Sequence, residues 1–303
     1  MKKISLYLVL TIIFIVTGCN KNDASSDLSE NEFSFVFMTD IHLQPEKNAP
    51  EGFAKALEKA KQLNPDFVIM GGDMIMDALG TSYARADSQY VMYQNAIESF
   101  GIPVYNTVGN HELYGIYEKS NADTTDEMFN TGMYEKYLGK RYYAFDHKGW
   151  HFIILDAIQA TNERRYIGFV DEEQQTWLQS HLQSVDTTKP IGVSVHIPFI
   201  TSLSQVQKGS LTPNSTGLVI SNSKEVLELF NNHNLRLVLQ GHLHYLEDIN
   251  VRNKTHFITG GAISGGWWNG PHNGVEEGFL HFRVNGNDFN WEYIDYGWEV
   301  ELH

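Results

Sequence analysis

Two histidines one residue apart stand in the run Gly241-His242-Leu243-His244, directly after the apolar stretch Leu235-Arg236-Leu237-Val238-Leu239-Gln240. Imidazole is the commonest protein metal ligand, and it is neutral near pH 7, so no proton has to leave when it coordinates. Two imidazoles at i and i+2, on a turn that Gly241 lets bend sharply, cannot complete a coordination shell. The chain supplies ligand-type residues in the same context at four more places. Asp40-x-His42 follows the β-rich run 33–38, Gly72-Asp73 follows 66–70, Gly109-Asn110-His111-Glu112 follows 103–108, and His196 follows 191–195. Singly these fragments are unspecific. Asp40 and Asp73 also suit turns after strands, Gly109-Asn110 is a common turn pair, and His196 alone reads as a core histidine.

The elements that must position these groups alternate. Residues 50–63 have helical spacing, with Phe53, Leu57, Ala60 and Leu63 on one face, and Asn64-Pro65 ends the helix. A longer helix over about 83–100 turns residues 90, 93 and 97 inward and meets Gly101 at its stop. Strand, helix, strand, helix, strand is the pattern of a parallel sheet covered by helices, and open α/β sheets place ligands at the carboxyl ends of their strands. Residues 112–140 are polar, tyrosine-bearing and irregular, and read as an excursion near the site rather than as core. Residues 142–146 and 150–155 read as a hairpin. Residues 171–185 read as a helix capped by Asp171, with Trp177, Leu178 and Leu182 inward. A loop over 201–222 and a helix over about 223–232 precede the strand that delivers His242 and His244. Short strands follow at 246–251, 256–259, 279–284 and 289–296.

In order, Asp40-x-His42, Gly72-Asp73, Gly109-Asn110-His111-Glu112, His196 and Gly241-His242-x-His244 resemble the motifs of the calcineurin-like metallophosphoesterase family, over residues 33–259. That family includes purple acid phosphatases, cyclic-nucleotide phosphodiesterases and protein phosphatases. The resemblance implies a four-layer α/β/β/α sandwich of two mixed sheets flanked by helices. It also implies two divalent metal ions. Asp40, His42 and His244 would hold the first, Asn110, His196 and His242 the second, and Asp73 would bridge them. His111 would be spared from ligation and serve as acid or transition-state stabiliser, with Glu112 orienting it. Two cations about 3.5–4 Å apart generate a nucleophile from water at neutral pH and clamp the phosphoryl group. The implied reaction is hydrolysis of a small or nucleotide-like phosphate ester, monoester or diester. A nuclease or pyrophosphatase on the same scaffold, or a binding lipoprotein with a vestigial metal site, are the alternatives.

Two departures narrow the family. Purple acid phosphatases carry an iron-ligating tyrosine three residues after the bridging aspartate, where this chain has Met76. Without tyrosinate the expected metals are manganese, iron(II) or zinc. The arginine of the protein phosphatases is missing from Met74-Ile75-Met76-Asp77, so the phosphate is left to the metals, Asn110 and His111. Trp267, Trp268 and His272, in the Gly-rich run after the last motif, are candidates for holding a base or sugar ring. Packing of the indoles into the core is the competing reading.

The ends of the chain carry a separate message. Lys2 and Lys3 precede an apolar run over 4–16, too short to favour a spanning helix. Val16-Thr17-Gly18-Cys19 then resembles a bacterial lipoprotein signal with its lipobox, which implies cleavage after residue 18 and a lipid on Cys19, the only cysteine. Residues 1–18 are thus read as a signal peptide, 19–32 as a flexible tether and 33–303 as one catalytic domain, with 260–303 a β extension. The expected location is extracytoplasmic and membrane-anchored, periplasmic or on the cell surface. Removing residues 1–18 leaves 20 basic against 37 acidic side chains, a charge of −17. Such a surface repels nucleic-acid backbones, so no nucleic-acid duplex is expected as a partner, and a small phosphorylated substrate is.

Overall fold

The computed structural model describes residues 31–300. Cys19, the leader and all but the end of the tether lie outside them. In chain order the elements are β1 (Glu32–Met38), α1 (Ala49–Gln62), β2 (Phe67–Met70), α2 (Tyr83–Phe100), β3 (Val104–Asn106), α3 (Gly132–Leu138), β4 (Tyr143–His147) and β5 (Trp150–Ile154). They continue as β6 (Ile158–Ala160), β7 (Tyr166–Gly168), α4 (Glu172–Leu182), β8 (Pro190–Ser194), α5 (Leu203–Lys208) and α6 (Ser223–Glu228). The last strands are β9 (Asn234–Gln240), β10 (Glu247–Val251), β11 (Thr255–Thr259), β12 (Gly278–Asn285) and β13 (Asp288–Asp295).

One sheet has the order β13-β12-β1-β2-β3 and the other β10-β11-β9-β8-β5-β4; β6 and β7 form a separate ribbon. Within the first sheet β1, β2 and β3 are parallel, and β12 and β13 add antiparallel pairs. Within the second, β5, β8, β9 and β11 are parallel, with β4 and β10 antiparallel at the edges. Alternation along each strand decides which layer a residue joins. Phe33, Phe35, Phe37, Phe67 and Ile69 share a buried cluster with Trp150, Phe152, Ile154, Leu237 and Leu239 of the second sheet. Phe35 stacks on Phe67 and Phe282 at 5.1 and 4.6 Å and meets Phe152 edge-on at 5.6 Å, so the layer between the sheets is largely aromatic. The alternate residues Val36, Met38, Val68, Met70, Ile153 and Val238 belong to the core under the helices. This is the expected sandwich of two mixed sheets with helices outside.

Local chemistry sets the helix ends. Ser82 caps α2 by accepting from the Arg85 N–H, and Gly101 ends it with φ 76°. Asp171 caps α4, accepting from Gln174 N at 2.8 Å. Four expectations are corrected. Leu113, Ile116, Met133 and Tyr134, in the stretch read as an excursion, are buried; apolar residues scattered in sequence are gathered by the fold. The 201–222 loop contains α5, and the β6–β7 ribbon was not expected at all. Trp177 is only half-buried, stacked on His181 at 5.1 Å. Glu32, read as tether, already pairs with Asn285. Among the described residues no helix is long and apolar enough to cross a membrane.

Candidate metal centre

Strand register brings the motifs together. Met38 pairs with Met70 and Met70 with Asn106, so three turns leave the first sheet side by side. In the second sheet Ser194 pairs with Leu239, which sets His196 beside Gly241. The turns are then tied by backbone bonds: Asp40 N donates to Gly72 O at 3.0 Å, His42 N to Asp73 O at 2.9 Å, and Gly241 N to His196 O at 2.9 Å. Across the two sheets, His242 N donates to the Asp40 carboxylate at 2.9 and 3.1 Å.

Asp40, His42, Asp73, His242 and His244 all hold positive φ, between 46° and 72°. Left-handed backbone costs a non-glycine residue about 1–3 kcal/mol and persists where surrounding structure over-determines it, commonly at functional sites. Here it reverses the chain at each strand end and folds the side chain back into the crevice. Gly241, by contrast, is not left-handed. A Cβ there would collide with Thr39 Oγ1 and lie 2.9 Å from Asp40 Oδ2. The glycine therefore permits close approach of the two sheets, and the histidines themselves make the bend.

Two triads result. The ligand atoms of Asp40, His42 and His244 lie within 4.8 Å of one another, as do those of Asp73, His196 and His242. Asp73 stands between them, its Oδ2 3.1 Å from His196 Nε2 and 3.7 Å from His42 Nε2. His42 Nε2 faces His244 Nε2 at 3.0 Å, and His244 Nε2 is 3.4 Å from Asp40 Oδ1. Backbone carbonyls fix the rings: His196 Nδ1 donates to Gly71 O at 2.8 Å, His242 Nε2 to Gly217 O at 2.9 Å, and His244 Nδ1 to Gly265 O. That leaves Nε2 of His196 and His244, and Nδ1 of His242, as the nitrogens free to coordinate. Asn110 Oδ1 is buried with no hydrogen-bond partner, and His196 Nε2 has only the Asp73 carboxylate beside it. Buried polar atoms normally have partners, so the Asn110 oxygen, like the facing imidazole nitrogens, fits a divalent cation.

The electrostatics agree. Burial raises the Asp40 carboxyl, but the charges of His244 and His196 outweigh it and hold the group at about 2. Burial works the same way on Asp73, and His196 and His111 hold it well below the usual carboxylate range. Burial lowers His196, yet Asp73 drives it up to about 9. His42 is pushed well down by burial and by His111, and His242 to about 4 by burial and by His196. The chain has buried two anions, and nearby imidazoles must otherwise carry protons to balance them.

The calcineurin-like phosphoesterase family model matches residues 33–246. The chain belongs to that family. This phosphoesterase is a metal-dependent phosphoric ester hydrolase. It is 24% identical over 220 residues to a Synechococcus protein named as a probable cyclic nucleotide phosphodiesterase, covering 70% of this chain and 73% of that one. In three dimensions it is similar to a dimetal phosphatase of Danio rerio, at a TM-score of 0.55 and 14% identity, over 88% of this chain and 99% of the other. It is also similar to GAP50, the anchor in the inner membrane complex of Plasmodium, at 0.54 and 15%, over 89% and 87%. At these identities the two structures establish the fold alone.

Around the triads of the phosphoesterase, His111 lies beside Asp73 and His42. Its Nε2 is 3.9 Å from Asp73 Oδ2, its ring is edge-on to His42 at 4.6 Å, and Nδ1 donates to Met76 O. Glu112 is a correction, since its carboxylate does not reach the His111 ring. Oε2 accepts from the backbone N–H of Asp73 and of Gly109, each at 2.8 Å, and Oε1 from Ile75 N–H at 3.1 Å. Burial and the Asp73 charge push it up to about 8, while the N–H donors favour its ionised form. Glu112 therefore positions the Asp73 turn. Adjacency in sequence conceals this, because the Glu112 carboxylate is taken up by backbone N–H groups of the Asp73 turn while His111 Nδ1 is taken up by Met76 O.

The aromatic run divides. Trp268 is a second correction: it is 2% exposed, its indole N–H donates to His42 O at 3.1 Å, and its ring meets Trp298 at 5.7 Å. A Cβ on Gly52 of α1 would collide with that ring, so a glycine faces it. Trp268 packs beneath the site and cannot touch substrate. Trp267 is half-buried, 4.4 Å from the His244 ring and 5.9 Å from His42, with His272 edge-on to it at 5.4 Å. Both tryptophans are left-handed, with φ of 54° and 66°, and Lys47 Nζ holds the turn through Asn269 Oδ1 at 2.9 Å. The sequence reading missed Tyr166, whose ring lies edge-on to His242 at 6.3 Å. Its one available signal was Arg164-Arg165-Tyr166, a basic pair in an acidic chain.

Proposed function

We propose that this phosphoesterase hydrolyses small phosphate esters, nucleotides among them, at two divalent cations. Asp40, His42 and His244 would hold one, Asn110, His196 and His242 the other, with Asp73 shared. Manganese, iron or zinc suits this mixture of carboxylate, amide and imidazole. The observation that carries the reading is the pair of triads joined through Asp73, buried except for a half-buried His242, with Asn110 Oδ1 left unpartnered beside them.

When bound, such cations supply a nucleophile from water near neutral pH and neutralise charge on the phosphoryl oxygens. The chain's own groups do the rest. Because Nδ1 of His111 donates its N–H to the Met76 carbonyl, Nε2 is the nitrogen that faces the site, and in the imidazolium form it carries the proton for the leaving oxygen. Glu112 and the left-handed turns hold Asp73 and the imidazoles in place before substrate arrives. Trp267 and His272 form an aromatic wall beside His244, which suits a planar leaving group such as a nucleobase. The formal charge of −15 argues against a nucleic-acid duplex and so against the nuclease reading.

The test is direct. Protein stripped of metal and reloaded with Mn²⁺, Fe²⁺ or Zn²⁺ is assayed against phosphomonoesters, diesters and nucleotides, beside His111→Ala. The variant should lose about 10²–10⁴-fold in kcat. Background rates on every substrate, unchanged by a chelator, would overturn the reading. The same proposal places the enzyme outside the cytoplasm on a lipid attached to Cys19. Labelled fatty acid should enter the wild-type protein and not Cys19→Ser; equal labelling of both removes the anchor.

A further inference from the structure

The ribbon β6–β7 carries two adjacent arginines with different surroundings. Arg164, left-handed at φ 56°, is spent on backbone: Nε donates to Ile116 O at 2.9 Å, and Nη2 donates to Gly115 O at 2.6 Å and Tyr117 O at 3.4 Å. It thereby ties the loop after His111 to the ribbon. Arg165 is exposed, with its guanidinium 5.5 Å from the Tyr117 ring centroid, and it donates only to Arg164 O at 3.2 Å. Among the described residues no carboxylate pairs with it, in a chain with 37 acids. Asp77, on the turn after Asp73, is paired with Lys119 at 3.9 Å.

Two phenols complete the cluster. Tyr166 is edge-on to His242, and among the described residues neither its hydroxyl nor that of Tyr117 has a hydrogen-bond partner. Burial is the larger cause that raises Tyr166, and Asp73 adds to it. Burial also raises Tyr117, opposed by Arg165 and reinforced by Asp77 and Asp73. Tyr166 thus stands beside the second triad, and Arg165 over the Tyr117 ring belongs to the same unit of ribbon and loop that Arg164 clamps, with no carboxylate taking its charge.

We propose that Arg165, Tyr117 and Tyr166 form a second anion subsite that takes a further anionic group of the substrate, such as the phosphate next to the scissile one. A guanidinium stacked on an aromatic ring is a preorganised phosphate donor, and a charge-assisted bond here adds to what the cations hold. The subsite rests on the hydrolase reading and selects, within it, phosphate esters with two neighbouring anionic groups.

The metal-loaded enzyme is compared on a nucleoside diphosphate and on p-nitrophenyl phosphate, as wild type, Arg165→Gln and the remote control Lys224→Gln. The ratio of the two kcat/KM values should fall about tenfold in Arg165→Gln, the loss of one charge-assisted contact, and should hold in Lys224→Gln. An unchanged ratio in Arg165→Gln, or an equal fall in the control, overturns the subsite. If the wild type hydrolyses nothing, the hydrolase reading fails and calorimetry still judges the subsite. Pyrophosphate should bind the metal-loaded protein more tightly than orthophosphate, and Arg165→Gln should erase the difference; equal affinities in the wild type overturn the proposal.

Discussion

Trp267→Ala and Trp268→Ala alter neighbouring residues of one turn, yet the structure assigns them opposite consequences. Trp268 is 2% exposed and wedged between Gly52 and Trp298. Truncating a buried tryptophan costs about 3–5 kcal/mol in lost contacts and residual cavity. The His42 carbonyl loses its indole donor, about 1 kcal/mol more. The total, about 4–6 kcal/mol, is a large part of the 5–15 kcal/mol that typically holds a domain. At roughly 2–4 °C per kcal/mol for a chain of this size, Tm should fall by on the order of 10–20 °C. Trp267 is half-buried, so its truncation should cost about 1 kcal/mol and a few degrees, but raise KM for nucleotides by removing the wall beside His244. Thermal unfolding with bound metal and steady-state kinetics on the same preparations measure both. If Trp268→Ala melts within about 2 °C of wild type and raises KM as Trp267→Ala does, the assignment of Trp268 to the packing under the site is wrong.

Three further outcomes follow from the same geometry. Glu112→Gln leaves one of the Asp73, Ile75 and Gly109 amides facing an NH₂ group, so unfolding free energy should drop by about 1–3 kcal/mol and metal affinity should weaken. The alkaline limb of the kcat profile, where a general acid loses its proton, should not move, because Glu112 does not touch the His111 ring; a shifted limb would make it a direct partner. His244→Ala and His242→Ala belong to different triads, so each should lower bound metal by about one equivalent and abolish the magnetic coupling of a Mn²⁺ pair. Full occupancy in either variant would contradict the division of ligands. Gly52→Ala should lower stability by about 1–3 kcal/mol through overpacking against Trp268; a variant as stable as wild type in urea would show that α1 does not approach that ring closely.

How much of this was legible beforehand varies with the range of the forces involved. The strands, α1, α2 and α4 follow from alternation, helical spacing and caps, all set within a few residues of each other, and α2 runs over the expected 83–100. The ligand residues were legible for a related reason: in a parallel sheet every strand ends on the same side, so short polar motifs after successive strands must converge. Residue type at those ends therefore indicated the chemistry before any distance was known.

What only the tertiary structure decided concerns direction and neighbourhood. Whether Glu112 faces His111 or the Asp73 amides depends on a single 3₁₀ turn and on the backbone N–H groups that the Asp73 turn, from elsewhere in the chain, brings to it. Trp267 and Trp268 are chemically identical and consecutive, so nothing local could tell the wall from the wedge; α1, distant in sequence, supplies Gly52 and makes the difference. Leu113, Ile116, Met133 and Tyr134 lack periodicity and were buried by contacts from elsewhere. Arg165 and Tyr166 reach the site only because the ribbon folds across it, secured by Arg164 to the loop after His111. Local propensity and pattern are short-range, and they determined the elements and the ligand types. The close approach of the two sheets, which turned Gly241 from a bend into a contact and split His242 from His244, is a long-range packing result that no window of the sequence contains.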